Sequence, residues 1–225
     1  MVLFFICFAL LGAVHLYACY FHVDKLRMAT KPLLLFSLAL YYAFAAEPMR
    51  WTVLLALLCG MAGDVFLLWP GREKCFTAGT GLFSLGHVLY AFTICSFLRA
   101  SGAAFPFRVF LLVGLPYAAA VAWVTARILP HIKKSFMKIG MPFYFGLVAL
   151  VNIGAWLILI NAAQTGAGDI LGDALLVIGG ILFFASDTIL ANGIFVGEKN
   201  RMNFLVMLTY ISAQVCLCLG FLRLP

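Results

Sequence analysis

The sequence predicts an all-α, polytopic membrane bundle of eight transmembrane helices, forming one domain over residues 1–225. Three observations predict it. Hydrophobic residues make up 65% of the chain and charged residues 10%, with a mean hydropathy of +1.11; a soluble domain of this length could not cover so much apolar surface. Between the charged clusters, the apolar residues fall into runs close to the roughly 20 residues that a helix needs to cross a hydrocarbon core. The longest polar connections, around 99–107 and 162–173, are only about a dozen residues, too short for a soluble domain.

The spans are expected at 2–21, 32–46, 51–69, 76–98, 107–128, 138–161, 174–196 and 203–223. The first, "MVLFFICFALLGAVHLYACYF", lacks a charged leader and is longer than a signal-peptide core, so it reads as a retained helix. The second is short and starts in "TKPLLLF", with Lys31 at the cytoplasmic end and Pro32 in the tolerated first turn. The third contains Asp64 within "MAGDVFLLW". On the fourth, Gly79, Phe83, His87 and Tyr90 recur at spacings of four, four and three, one helical stripe beside Gly86. The fifth carries no singled-out polar group. "MPFYF" puts Pro142 and Tyr144 on the sixth, with Asn152 at depth. The seventh holds Ser186, Asp187 and Asn192, and the eighth has Tyr210 and Gln214 four apart in "YISAQ". Aromatic residues near helix ends serve as interface anchors as readily as site groups.

The basic residues orient the bundle. Lys25, Arg27, Lys31, Arg72, Lys74, Arg127, Lys133, Lys134, Lys138, Lys199 and Arg201 gather on one side, against Arg50, Arg99, Arg108 and Arg223 on the other, eleven to four. The positive-inside rule then places both termini on the non-cytoplasmic side, at the plasma (inner) membrane in a bacterium. The net charge of +7 is explained by this topology and by anionic lipid contact, with nothing that points to nucleic acid. The seven cysteines form no CxxC; Cys216 and Cys218, two apart on a helix, point apart. They read as packing residues.

Of the eight acidic residues, Asp24, Glu47, Glu73, Asp169, Asp173 and Glu198 fall in loops or at helix ends. Asp64 and Asp187 lie well inside apolar runs, where a carboxylate costs a few kcal/mol and marks a bundle interior or a wet cavity. Their surroundings are alike: "GDVFLL" at 63–68 and "SDTILA" at 186–191 follow glycine-bearing runs, on helices four apart in the count. This is consistent with a four-plus-four parallel internal repeat. Gly60 and Gly63 beside one aspartate, and Gly179, Gly180 and Ser186 beside the other, permit close helix approach or leave room for a ligand. A structural role stays open, with the carboxylates paired to Lys31, a tyrosine or backbone carbonyls. His87 shares the bundle with both; His15, His22 and His131 read as structural.

Taken in order, "TKP" at 30–32, "GD" with "VFLL" at 63–68, the stripe through Phe76, Gly79, Phe83, His87 and Tyr90, "PFY" at 142–144, "FFASDTILA" at 183–191 and Tyr210 with Gln214 resemble the lysoplasmalogenase family, the YhhN or TMEM86-type membrane proteins. The resemblance covers nearly the whole chain and implies a hydrolase that cleaves the vinyl ether of lysoplasmalogens. The products are a fatty aldehyde and glycerophosphoethanolamine or glycerophosphocholine.

The chemistry suits the residues. Protonating the β-carbon of a vinyl ether makes an oxocarbenium ion, water adds, and the hemiacetal collapses to aldehyde and alcohol. The enzyme needs a proton donor and an anionic group that activates water and steadies the cation, the division glycosidases use. Two carboxyls in a poorly solvated pocket supply both; the reading favours Asp187 as acid and Asp64 as base, with no cofactor. His87 and Tyr90 orient water or relay protons, and Lys31 meets the lipid phosphate. Tyr144, Asn152, Ser186, Asn192, Tyr210 and Gln214 complete the expected substrate contacts, and the chain of the lysophospholipid enters sideways from the leaflet. Three rivals stand beside this: a metal hydrolase with Asp64, His87 and Asp187 as ligands, a proton-coupled transporter using the same aspartates, and a structural or sensory membrane protein.

Overall fold

The computed structural model describes residues 1–69, 72–197 and 200–224. Among them there is no strand; eight α-helices follow one another: α1 (Val2–Tyr20), α2 (Asp24–Ala45), α3 (Trp51–Phe66), α4 (Glu73–Ala100), α5 (Phe107–Ile128), α6 (Ser135–Thr165), α7 (Ile170–Ala191) and α8 (Met202–Arg223). Seven of the described helices are long and apolar enough to cross a membrane. The chain is an integral, multi-pass membrane protein. Lys199, used to orient the bundle, and Glu198, placed among the loop and helix-end acids, lie outside the described residues.

The short helix is α3, whereas the sequence reading made α2 the short one. With 16 residues, α3 rises roughly 24 Å. It stops before the expected end because Leu68 N–H and Trp69 N–H turn back to the carbonyls three residues earlier, Val65 and Phe66. Helix α2 instead begins at Asp24, so Pro32 lies inside it and Lys31 is in its third turn. A count of apolar residues misses this start because the first turns are polar; Asp24 and Arg27 bridge them at 3.3 Å. Neighbouring helices and hydroxyl side chains accommodate a proline inside a membrane helix. The 162–173 connection also shortens: α6 runs to Thr165, Gly166 closes it in the left-handed conformation with φ of 66°, and Asp169 caps α7. Asp173 thus sits buried in the first turn of α7.

The helices cluster into two compact units, Met1–Thr93 and Ile94–Pro225, with the boundary inside α4. In the first unit, α1 packs on α2 through stacked Phe4 and Phe44, with ring centroids 5.3 Å apart, and through buried His15, whose Nδ1 is 2.7 Å from Thr30 Oγ1. Helix α3 meets α4 by backbone. A Cβ on Gly63 would lie 2.8 Å from the Phe83 ring, and one on Gly86 would lie 3.3 Å from the Ala56 carbonyl. Close approach of this kind, driven by packing and not by solvent exclusion, is how helices associate in lipid. In the second unit, α7 and α8 touch most closely: a Cβ on Gly179 would stand 2.8 Å from Leu217 N, and one on Gly220 would stand 2.9 Å from the Gly172 carbonyl.

Candidate active site

Asp64 falls in the first unit and Asp187 in the second, each buried against a defined partner. In the first, Asp64 is 2% exposed; it sits one residue after Gly63, where the absent side chain lets α4 close on α3. Lys31 reaches it from α2, Nζ to Oδ1 at 3.3 Å. The third-turn position of Lys31 makes this contact, which a lysine at the helix start would not favour. On α4, His87 is buried, with Nδ1 2.8 Å from the Phe83 carbonyl. A carbonyl only accepts, so Nδ1 is the donor of this bond. Tyr90 lies edge-on to His87, ring centroids 6.4 Å apart. Gly79, Phe83 and Gly86 carry the contact of α4 with α3.

In the second unit, Asp187 on α7 is 8% exposed and accepts a short hydrogen bond from the Tyr144 hydroxyl on α6. The Tyr144 ring is held edge-on by Phe145 at 5.7 Å. Tyr210 on α8 packs on Phe183 of α7 at 5.7 Å. One turn on, Gln214 is buried, and its Oε1 has no hydrogen-bond partner among the described residues.

Other expected site residues engage neighbouring helices. Ser186 Oγ donates to the Val206 carbonyl on α8 at 3.0 Å. Asn152 donates to Val148 O at 2.9 Å and accepts from the Tyr117 hydroxyl at 3.2 Å; its carboxamide rests on Gly180, where a Cβ would come within 2.5 Å. Asn192 donates to Thr188 O at 2.8 Å and accepts from Arg127 Nε at 2.6 Å, at the start of a π-helical turn, Asn192–Val196. The sequence reading did not place Tyr117, Trp156 or Arg127 near the site residues, although Trp156 Nε1 donates to Tyr117 at 3.1 Å. An aromatic residue in an apolar helix gives no sign of which helix its polar tip will meet.

Among the described residues, no three His, Cys, Asp or Glu side chains come together as a metal-binding group. The first unit offers an aspartate against a lysine and a buried imidazole, and the second an aspartate against a phenol.

Comparison with known proteins fits this picture. The pig (Sus scrofa) lysoplasmalogenase TMEM86B is 27% identical over 170 residues, 76% of this chain and 63% of the pig protein. The rat (Rattus norvegicus) lysoplasmalogenase TMEM86B is 29% identical over 195 residues, 87% of this chain and 72% of the rat protein. This chain thus spans under two thirds of the pig relative's length. No solved structure matches it. Residues 26–221 match the YhhN family, and the chain belongs to that family.

Proposed function

We propose that this protein is a membrane-embedded lysoplasmalogenase that adds water across the vinyl ether of a lysoplasmalogen, releasing a fatty aldehyde and a glycerophospho-headgroup alcohol. The observation that supports it is the unlike setting of Asp64 and Asp187, with Lys31 beside the first and the Tyr144 hydroxyl on the second. Pairs of carboxyls in different environments divide into acid and base.

Asp187 is the proton donor. It delivers its proton to the β-carbon of the vinyl ether, and the electron pair of the double bond leaves the α-carbon as an oxocarbenium ion. Tyr144 orients the carboxyl and carries its replacement proton. Asp64, already balanced by Lys31, is the base that takes a proton from the attacking water, the second role in the division that glycosidases use. The hemiacetal then breaks its bond to the glycerol oxygen, which leaves protonated as the alcohol. His87 relays the water's proton. Lys31 is partly exposed, and an ammonium has three donors, so it serves the lipid phosphate as well as Asp64. Gln214 and Tyr210 contact the substrate, while Ser186, Asn152 and Asn192 hold the helices in register around it. The basic residues gather on alternate connections, as the positive-inside rule expects of a bundle with both termini on the non-cytoplasmic side.

The test is aldehyde release from a lysoplasmalogen by the purified protein in detergent. Wild type releases aldehyde with or without a chelator, and Asp64→Asn and Asp187→Asn each lower the rate by about 100-fold or more. A folded wild type that releases none overturns the reading. That outcome is the one a proton-coupled transporter gives, since transport needs a sealed membrane.

A further inference from the structure

We propose that Tyr117, on α5, is a positioning residue for the Tyr144–Asp187 pair: it fixes where the Tyr144 hydroxyl stands on the carboxyl. The inference rests on the hydrolase reading, in which that pair delivers the proton. The buried residues of α5 are only Val113, Val124 and Ile128, so apolar packing alone holds this helix loosely. A hydroxyl taken into such surroundings needs partners, and Tyr117 has two. Trp156 Nε1, which can only donate, bonds to the Tyr117 oxygen at 3.1 Å. The tyrosine's own hydrogen is then directed to Asn152 Oδ1, 3.2 Å away. Asn152 Nδ2 in turn donates to the Val148 carbonyl at 2.9 Å. Both ends of the carboxamide are tied, and Asn152 is buried, so the side chain holds one orientation.

Two routes lead from Tyr117 to the pair. The first is the seam between α6 and α7. The Asn152 carboxamide rests on Gly180, where a Cβ would stand 2.5 Å from Oδ1, so the seam has no room there for a side chain from α7. From this contact to the pair, α6 steps back eight residues to Tyr144, and α7 steps forward seven to Asp187. These are rises of roughly 12 and 10.5 Å. The Asn152–Gly180 contact thereby sets the register in which the phenol meets the carboxyl.

The second route is aromatic. The Tyr117 ring lies edge-on to Phe184 at 6.5 Å, Phe184 to Phe145 at 5.6 Å, and Phe145 to Tyr144 at 5.7 Å. All three spacings fall in the range of favourable edge-to-face contact, roughly 4.5–7 Å. Phe145 is fully buried, so in a close-packed interior a shift of Phe184 passes to the Tyr144 ring. Tyr117 therefore acts through Asn152 and Phe184. Its effect on the reaction is geometric: the acid must aim its proton at one carbon, and a misplacement of about 1 Å can cost 100-fold in rate.

Tyr117→Phe keeps the ring on Phe184 and deletes the hydroxyl. The kcat for aldehyde release from a lysoplasmalogen is expected to fall about tenfold, with KM within about twofold of wild type. In a Tyr144→Phe background the same substitution should cost less than about twofold, because the group it positions is gone. Trp156→Phe, which removes only the indole donor, should lower kcat in the same sense. Equal losses in both backgrounds, or a wild-type rate in Tyr117→Phe, would overturn the proposal. A second readout needs no turnover: fluorine NMR of the whole protein in detergent, with 3-fluorotyrosine incorporated in place of Tyr144. The resonance is expected to shift or broaden in Tyr117→Phe and in Trp156→Phe, and spectra identical to the parent's would overturn the proposal. If wild type releases no aldehyde, the hydrolase reading fails, and the fluorine spectra alone decide whether Tyr117 sets the position of Tyr144.

Discussion

Tyr144 donates to Asp187, and its ring is held by Phe145, so Tyr144→Phe deletes one hydrogen bond and keeps the packing. The account expects aldehyde release to fall by about tenfold to a hundredfold, with an unchanged elution profile on size exclusion. Lys31→Met acts differently. It leaves Asp64, nearly fully buried, without its ammonium, and breaking a pair this deep costs up to about 3 kcal/mol. Thermal unfolding in detergent should show the loss, and the double variant Lys31→Met with Asp64→Asn should recover part of it, since the uncompensated charge goes too. A double variant less stable than the single would contradict the pairing. Both aspartates were legible in the sequence because a charge inside an apolar run stands out. The sequence offered Lys31 and a tyrosine as partners under a structural role, and the pairs seen are of those types; which tyrosine was not legible, because Tyr144 and Asp187 are 43 positions apart and periodicity along one helix says nothing about which neighbour it meets.

Among the helices, glycine sorts tight seams from open faces. At Gly180 a Cβ would come within 2.5 Å of Asn152 Oδ1, so Gly180→Ala should destabilise by about 1–3 kcal/mol through overpacking. At Gly146 nothing stands within 4 Å, and Gly146→Ala should be neutral or stabilising by a few tenths of a kcal/mol through helix propensity. A second device ties α7 to α8. Asp169 accepts from Leu171 N and Gly172 N and from Arg223 at 2.6 Å. The Arg223 guanidinium, with those amides, holds its carboxyl below the ordinary 3.8. A depressed carboxyl stabilises the fold above its ordinary value and loses that contribution as pH falls through the folded one. The deficit in Tm of Asp169→Asn at pH 7 should therefore shrink once the pH drops below about 4. Spans were legible from runs of apolar residues, yet α2, α6 and α7 extend past those runs into polar turns. Caps and ion pairs set such ends, and hydropathy does not register them.

The whole molecule divides into units at Thr93 and Ile94, with Asp64 in the first and Asp187 in the second, so the fold-level expectation and the chemical one meet in a single question: whether Asp64 and Asp187 serve one reaction. The proposed orientation, with all eight helices crossing, predicts that a cysteine introduced at Lys133 is labelled by an impermeant reagent only from the cytoplasmic face; labelling from the other face would invert the topology. The helix count and the class were legible because lipid imposes a length on every apolar span. The working of the aspartates together was not, because a sequence carries no distances. The most direct measurement is the rate of aldehyde release by Asp64→Asn, Asp187→Asn and the double variant, all shown to be folded. Groups that act as a unit are non-additive. The account predicts that each single variant loses about 100-fold or more and that the double variant is little slower than either. A single variant that keeps the wild-type rate, or losses that simply multiply, would contradict it.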